Sequence, residues 1–140
     1  MVADGAMLLA TDALSVERTL GSYMLSSCDL AQSQQAEFSR LHGSSEYLLD
    51  YATTYDDNAD QLLKEHVSDV PLQHNITEFR DLIQDEEFAE TCTNFTPAER
   101  TALTVEFGED MEQYILAIDD VRQGHIIPSI LQVNWTYFFI

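Results

Sequence analysis

The sequence predicts a mainly α protein: a bundle of about four helices followed by a C-terminal β-strand or extended arm. Three observations carry that reading. Apolar residues recur at spacings of three and four through most of residues 15–121. Thr96-Pro97-Ala98-Glu99 has the composition of a helix capping box with proline in the first turn. After Pro128 the apolar period drops from near four to two.

The first periodic stretch runs from about Ser15 to Leu41, with Val16, Leu20, Tyr23, Met24, Leu30, Ala31, Phe38 and Leu41 on one stripe that weakens around Gln32 to Gln35. Asp12 or Ser15 is placed to cap its start by accepting backbone N–H bonds. Between Arg18 and Glu37 the only charged residue is Asp29. In so acidic a chain, that predicts a helix covered by protein on more than one side.

His42-Gly43-Ser44-Ser45 interrupts the pattern and predicts the short connection of an antiparallel helical hairpin. A second helix is expected from Ser45 to about His66. Its seam is Leu48, Ala52, Tyr55, Ala59, Leu62 and His66, alternating spacings of four and three. Ser68 to Pro71 ends it, because the residue before proline is pushed out of the helical region. A shorter third helix begins at Asn75, with Asn75 and Glu78 as a capping box and Phe79, Leu82, Ile83 and Phe88 facing inward.

The fourth helix follows Thr96. Its stripe is Leu103, Phe107, Met111, Tyr114, Ile118 and Val121, and Gly124 supplies the stop. Gly108 is expected to kink or split it, at a cost near ~1 kcal/mol relative to alanine. Leu131, Val133, Trp135, Tyr137 and Phe139 then fall on one face of an alternating segment, with Gln132, Asn134 and Thr136 on the other. No earlier helix offers such a strand a partner, so either Met1 to Ala10 or another chain must supply one. The organisation expected is an acidic helical domain over 1–124, with an uncharged strand or arm over 125–140. That arm belongs to the same domain or is exchanged between subunits.

Charge narrows the function. Twenty-five Asp and Glu oppose five Arg and one Lys, giving a formal net charge of -19, yet the last eighteen residues carry no charged side chain. Six scattered cations cannot form the basic stripe that grips nucleic acid. Three accounts fit the acidity: solubility, a salt-rich habitat in which cations screen the self-repulsion, and imitation of a phosphate backbone. No apolar run approaches the ~20 residues needed to span a bilayer. The N-terminal segment has Asp4 where a signal peptide would be basic, so synthesis in the cytoplasm without general export is expected.

Catalytic and cofactor motifs are missing. His42, His66, His74 and His125 share no metal-binding spacing, and no Gly-rich phosphate loop or nucleophile elbow occurs. The acidic runs Asp56-Asp57-Asn58-Ala59-Asp60, Asp85-Glu86-Glu87, Glu109-Asp110-Met111-Glu112 and Asp119-Asp120 read as solvated helix faces. Cys28 and Cys92 could pair, but sequence does not establish their proximity, and two reduced, buried thiols are the expected state in a cytoplasmic chain. Asn75-Ile76-Thr77, Asn94-Phe95-Thr96 and Asn134-Trp135-Thr136 have glycosylation-acceptor form but read as coincidence without an export route.

The expected function is therefore a non-enzymatic structural or assembly protein without cofactor or metal. It would be a subunit of a larger oligomer, with a virus particle as one setting, and it would dock on protein subunits through Leu131, Val133, Trp135, Tyr137 and Phe139. The alternative is an acidic DNA mimic that inhibits a nucleic-acid-binding protein. The uncharged aromatic segment separates the two, since a mimic has no use for it.

Overall fold

A computed structural model describes residues 2–67 and 70–124. The segment expected to form the strand lies outside the described residues, as do Leu131, Val133, Trp135, Tyr137 and Phe139. The described residues form α1 (Val2–Ser27), α2 (Gln32–Tyr55), α3 (Asp57–His66), α4 (Val70–Gln84), α5 (Glu86–Thr91) and α6 (Pro97–Arg122), with one 3₁₀ turn at Cys92–Asn94 between the last two. The expected helical bundle is present, built around three long helices.

α1 lies between α2 and α6 and packs along both. It runs antiparallel to α6: Arg122 lies 3.8 Å from Asp4 at one end, and Arg100 donates to the Ser26 carbonyl (3.1 Å) at the other. α4 closes the bundle from the side. The Gln35 amide donates to the Ile83 carbonyl and the Gln84 amide to the Gln35 carbonyl, both at 3.0 Å, so the start of α2 meets the end of α4.

The centre is aromatic. Phe107 stands 5.6 Å from Phe79, edge to face, and 6.3 Å from Phe38, measured between ring centroids. α1 reaches these rings through Gly21. A β-carbon there would come within 2.6 Å of the Phe107 ring and 2.9 Å of Phe38. The last helix matches expectation in detail. Thr96 accepts from the Glu99 N–H (3.1 Å), Glu99 accepts from the Thr96 N–H (2.9 Å), and Phe107, Met111, Tyr114, Ile118 and Val121 are buried.

Several boundaries differ from those expected, each for a local reason. α1 starts at Val2, not near Asp12 or Ser15, so residues 2–10 are helical and supply no partner strand. Ala3, Ala6, Met7, Ala10 and Leu14 are buried at helical spacing, and Asp4 sits in the first turn, where the helix dipole favours an anion. The expected single helix from Ser15 to Leu41 is two helices, broken after Ser27. Cys28 takes a positive φ of 58° there, the Leu30 N–H donates back to the Cys28 carbonyl (3.0 Å), and Ser27 Oγ accepts from the Asp29 N–H (3.1 Å).

The cysteines are not free thiols. Cys28 and Cys92 form a disulfide with Cα atoms 5.7 Å apart. Their separation of 64 residues hid a proximity that arises only when the 3₁₀ turn opening at Cys92 is brought beside the residue that follows α1.

The expected break at His42 to Ser45 is instead the interior of α2. The Ser45 hydroxyl donates to the His42 carbonyl (2.8 Å), which satisfies it inside a helix. The next helix breaks at Asp56, in the middle of the expected seam. Asp56 turns out of helical geometry and its carboxylate accepts from the Asn58 and Ala59 N–H groups at 3.0 and 3.1 Å. It is a cap as well as part of an acidic run. Asn75 does not cap a helix, because α4 has already begun at Val70, and Glu78 pairs with His74 at 3.0 Å. Gly108 does not split α6, which runs unbroken from Pro97 to Arg122. It is buried beneath Arg18, whose Nε would lie 3.6 Å from a β-carbon at that position.

The inward face of α1 is also rotated. Val16 and Tyr23 are about half exposed, whereas Leu14, Glu17, Met24 and Leu25 on the adjacent face are fully buried. Tyr55 and His66, placed on the seam of the second helix, are exposed.

Candidate interaction surface

All six cations are engaged. Arg18 pairs with Glu112, Arg40 with Glu37, Lys64 with Asp60, Arg80 with Glu17, and Arg122 with Asp119 and Asp4. Arg100 donates to the Ser26 carbonyl and to Cys28 Sγ (3.6 Å), closing the C-terminal end of α1 where orphan carbonyls collect. The cationic side chains are thus consumed in holding helices together, and the net charge is carried by solvated carboxylates.

Against that acidic surface, one face of α1 is different. Leu9, Ala13, Val16, Leu20 and Tyr23 succeed one another at spacings of four, three, four and three. Leu9, Val16 and Tyr23 are 56, 53 and 48% exposed, and Ala13 and Leu20 are half-buried. Spacing of this kind keeps five side chains on one line along a helix, the pattern of a seam that meets another element. Of the three charged residues within the stretch, Glu17 is fully buried against Arg80 and Arg18 turns to Glu112 on α6, while Asp12 stays exposed one turn before Val16. From Ala13 to Ser27 no carboxylate reaches solvent. The Tyr23 hydroxyl donates to Asp29 (3.0 Å), which anchors the ring at the end of the line.

α2 adds a second exposed apolar feature. Tyr47, Tyr51 and Tyr55, one turn apart, meet in sequence as tilted ring pairs with centroids 6.4 and 4.7 Å apart. The chain leaves the described bundle just beyond α6, where Gly124 takes φ +75°. The Arg122 to Asp4 pair sets that exit beside the start of α1, at the Leu9 end of the stripe.

Other concave or ionisable sites hold less. A cleft of about 410 Å³ is bounded by Glu46, Asp50, Asp60, Lys64, Tyr114 and neighbours, and the Lys64–Asp60 pair (3.0 Å) occupies its polar wall. Burial pushes the Tyr114 phenol above its ordinary range, partly offset by a hydrogen bond with Gln73. Asp110 is pushed up by burial and by the neighbouring Glu106 and Glu109. Among the described residues no group of three His, Cys, Asp or Glu is arranged to hold a metal ion, and no helix is long and apolar enough to cross a membrane.

Sequence reasoning placed Val16 and Tyr23 on the same inward stripe as Leu20, which does pack against the core, and so missed that α1 has two apolar faces. The signal was present in the near absence of charge from Arg18 to Glu37, which called for cover on more than one side. The chain matches no family model, and comparisons with curated proteins and with solved structures return no match.

Proposed function

We propose that this protein is a non-enzymatic assembly subunit that docks on other protein subunits through Leu131, Val133, Trp135, Tyr137 and Phe139. One observation carries the reading: a charge-free segment with five large apolar residues in alternation follows a body in which carboxylates far outnumber cations. Burying five such side chains supplies roughly 1.5–3 kcal/mol each before ordering entropy is subtracted. The acidic body meanwhile discourages indiscriminate contact. A particle such as a virion is a setting in which subunits exchange arms of this kind. The Cys28–Cys92 bond fits a particle that leaves the reducing cytoplasm, where disulfides persist.

The test removes residues 134–140 and measures molar mass in solution beside helical content. The expected result is a folded helical body that no longer joins its oligomer. An intact chain that is monomeric at every concentration, or a shortened chain that assembles like its parent, rejects the reading.

A second reading, a DNA mimic occupying a cationic groove, draws support from the full engagement of all six cations. Its complex with a basic partner must weaken steeply with salt. Binding retained in molar sodium chloride excludes charge mimicry as the mechanism.

A further inference from the structure

We infer that the surface receiving the 131–139 segment is the outer face of α1 on a neighbouring copy of this chain, the line Leu9, Ala13, Val16, Leu20 and Tyr23. This rests on the docking role proposed above and names its partner.

Charge selects the site. A second copy carrying -19 approaches most readily where carboxylates are few: α1 presents none to solvent from Ala13 to Ser27, and Asp12 is the one exposed carboxylate of that helix within the line. The incoming segment adds none, because residues 123–140 contain no Asp, Glu, Lys or Arg. Two acidic bodies can therefore meet through an uncharged segment and a line in which Asp12 is the one exposed carboxylate of α1, which keeps like charges few at the contact.

Dimensions agree. Leu9 to Tyr23 covers about 21 Å at ~1.5 Å per helical residue. Leu131 to Phe139, if extended, covers about 26 Å at ~3.3 Å per residue. Five apolar side chains on each element then face one another over nearly the same length. The seven steps from Gly124 to Leu131 reach up to about 23 Å before the docked segment begins. That length is available to cross from the Leu9 end of one copy to the stripe of the next.

Backbone chemistry favours exchange over folding back. A single extended segment lying on its own helix leaves a row of N–H and C=O groups without ladder partners. Two segments exchanged about a two-fold axis can pair with each other. Their apolar faces then cover the two α1 lines while Gln132, Asn134 and Thr136 face water.

The experiment uses the full chain, with molar mass by light scattering, helical content by circular dichroism, and the emission of Trp135, the only tryptophan. Val16→Glu places a carboxylate at the centre of the receiving line. Leu116→Glu places one at an exposed apolar position on α6, outside it. Both positions are about half exposed, so both variants should keep the parent's helical content. The inference expects Val16→Glu to weaken association at least tenfold and shift Trp135 emission to the red, with Leu116→Glu unchanged in both.

If Trp135→Asp abolishes assembly while Val16→Glu leaves it intact, the receiving surface lies elsewhere and the inference falls, although the docking role stands. If neither substitution matters, both fall. If Val16→Glu dissociates the oligomer but leaves Trp135 emission unchanged, α1 is an interface that the segment does not touch, and the inference falls. A Val16→Cys/Val133→Cys double variant, oxidised and run on a denaturing gel, must migrate as a covalent dimer. A monomer cross-linked within one chain would overturn the exchange.

Discussion

Arg80 grips both carboxylate oxygens of Glu17 with one edge of its guanidinium, Nε donating to Oε2 at 2.7 Å and Nη2 to Oε1 at 3.0 Å, and thereby ties α4 to α1. Glu17 is fully buried and the Arg80 side chain is 11% exposed. The bond makes a charged residue compatible with the inward face of α1, and it keeps a carboxylate off the outer face of the same helix.

Breaking that pair from one side should be severe. Arg80→Ala leaves a buried carboxylate uncompensated, an expected loss of about 3–5 kcal/mol. Replacing both partners by apolar residues of similar volume, Glu17→Leu with Arg80→Met, should cost little. Urea unfolding of the single and double variants decides the matter: a single variant within ~1 kcal/mol of the parent would mean that water reaches Glu17.

Glycine substitutions should separate by position. Gly21→Ala drives a methyl into Phe107 and Phe38, rings that are themselves boxed in, and should destabilise by about 1–3 kcal/mol. Gly43→Ala has no atom within 4 Å of the new β-carbon and lies inside α2. It should stabilise by about 0.4–1 kcal/mol. Thermal melting of the two variants should move in opposite directions, and equal shifts would contradict the close approach of α1 to the aromatic centre.

Reduction should be costly. Cross-linking residues 64 apart removes chain entropy from the unfolded state worth about 4 kcal/mol. Unfolding midpoints with and without a thiol reductant should differ accordingly. Cys92→Ser should reproduce the reduced value and lose its response to reductant.

The pH response has two opposed parts. The Thr96 backbone N–H and then its hydroxyl hold the Glu99 carboxyl below its usual range, and the Arg40 hydrogen bond does the same for Glu37. These groups contribute stability above the ordinary carboxylate pKa of about 4.3, and it is lost as pH falls through their folded values. Asp110 works the other way. Burial first, then Glu106 and Glu109, raise its pKa, and its Oδ2 is buried without a hydrogen-bond partner. Its ionised form destabilises the fold, so stability is gained as pH falls through the raised value towards the unfolded one. Asp110→Asn should be more stable than the parent at pH 7 and lose that gain on mild acidification. A stability–pH curve identical to the parent's would remove Asp110 as its source.

How much of this was legible beforehand depends on the range of the interactions involved. The α6 cap and stripe were readable because Thr96, Pro97, Glu99 and the spacing from Leu103 to Val121 are all local signals. The α1–α2 break was not, because Cys28 leaves helical geometry at a bond to a residue 64 positions away. Asp56 was read as one acid among several, although its position opposite the Asn58 and Ala59 N–H groups makes it the cap that divides two helices. Gly43 looked like a breaker and is merely a helical residue exposed to water. On α1 two apolar lines run side by side, and periodicity alone ranks them equally. Glu17 misleads further, since its charge suggests an outward face until Arg80 is placed beside it.

The Cys28–Cys92 bond also sets a route for mechanical load. It encloses α2, α3, α4 and α5 in a covalent ring, from which α1 and α6 extend and zip together antiparallel. Tension applied through the two ends of the chain would peel α1 from α6 and stop at the sulfur bridge. The ring would bear no strain along its backbone until that bridge was reduced.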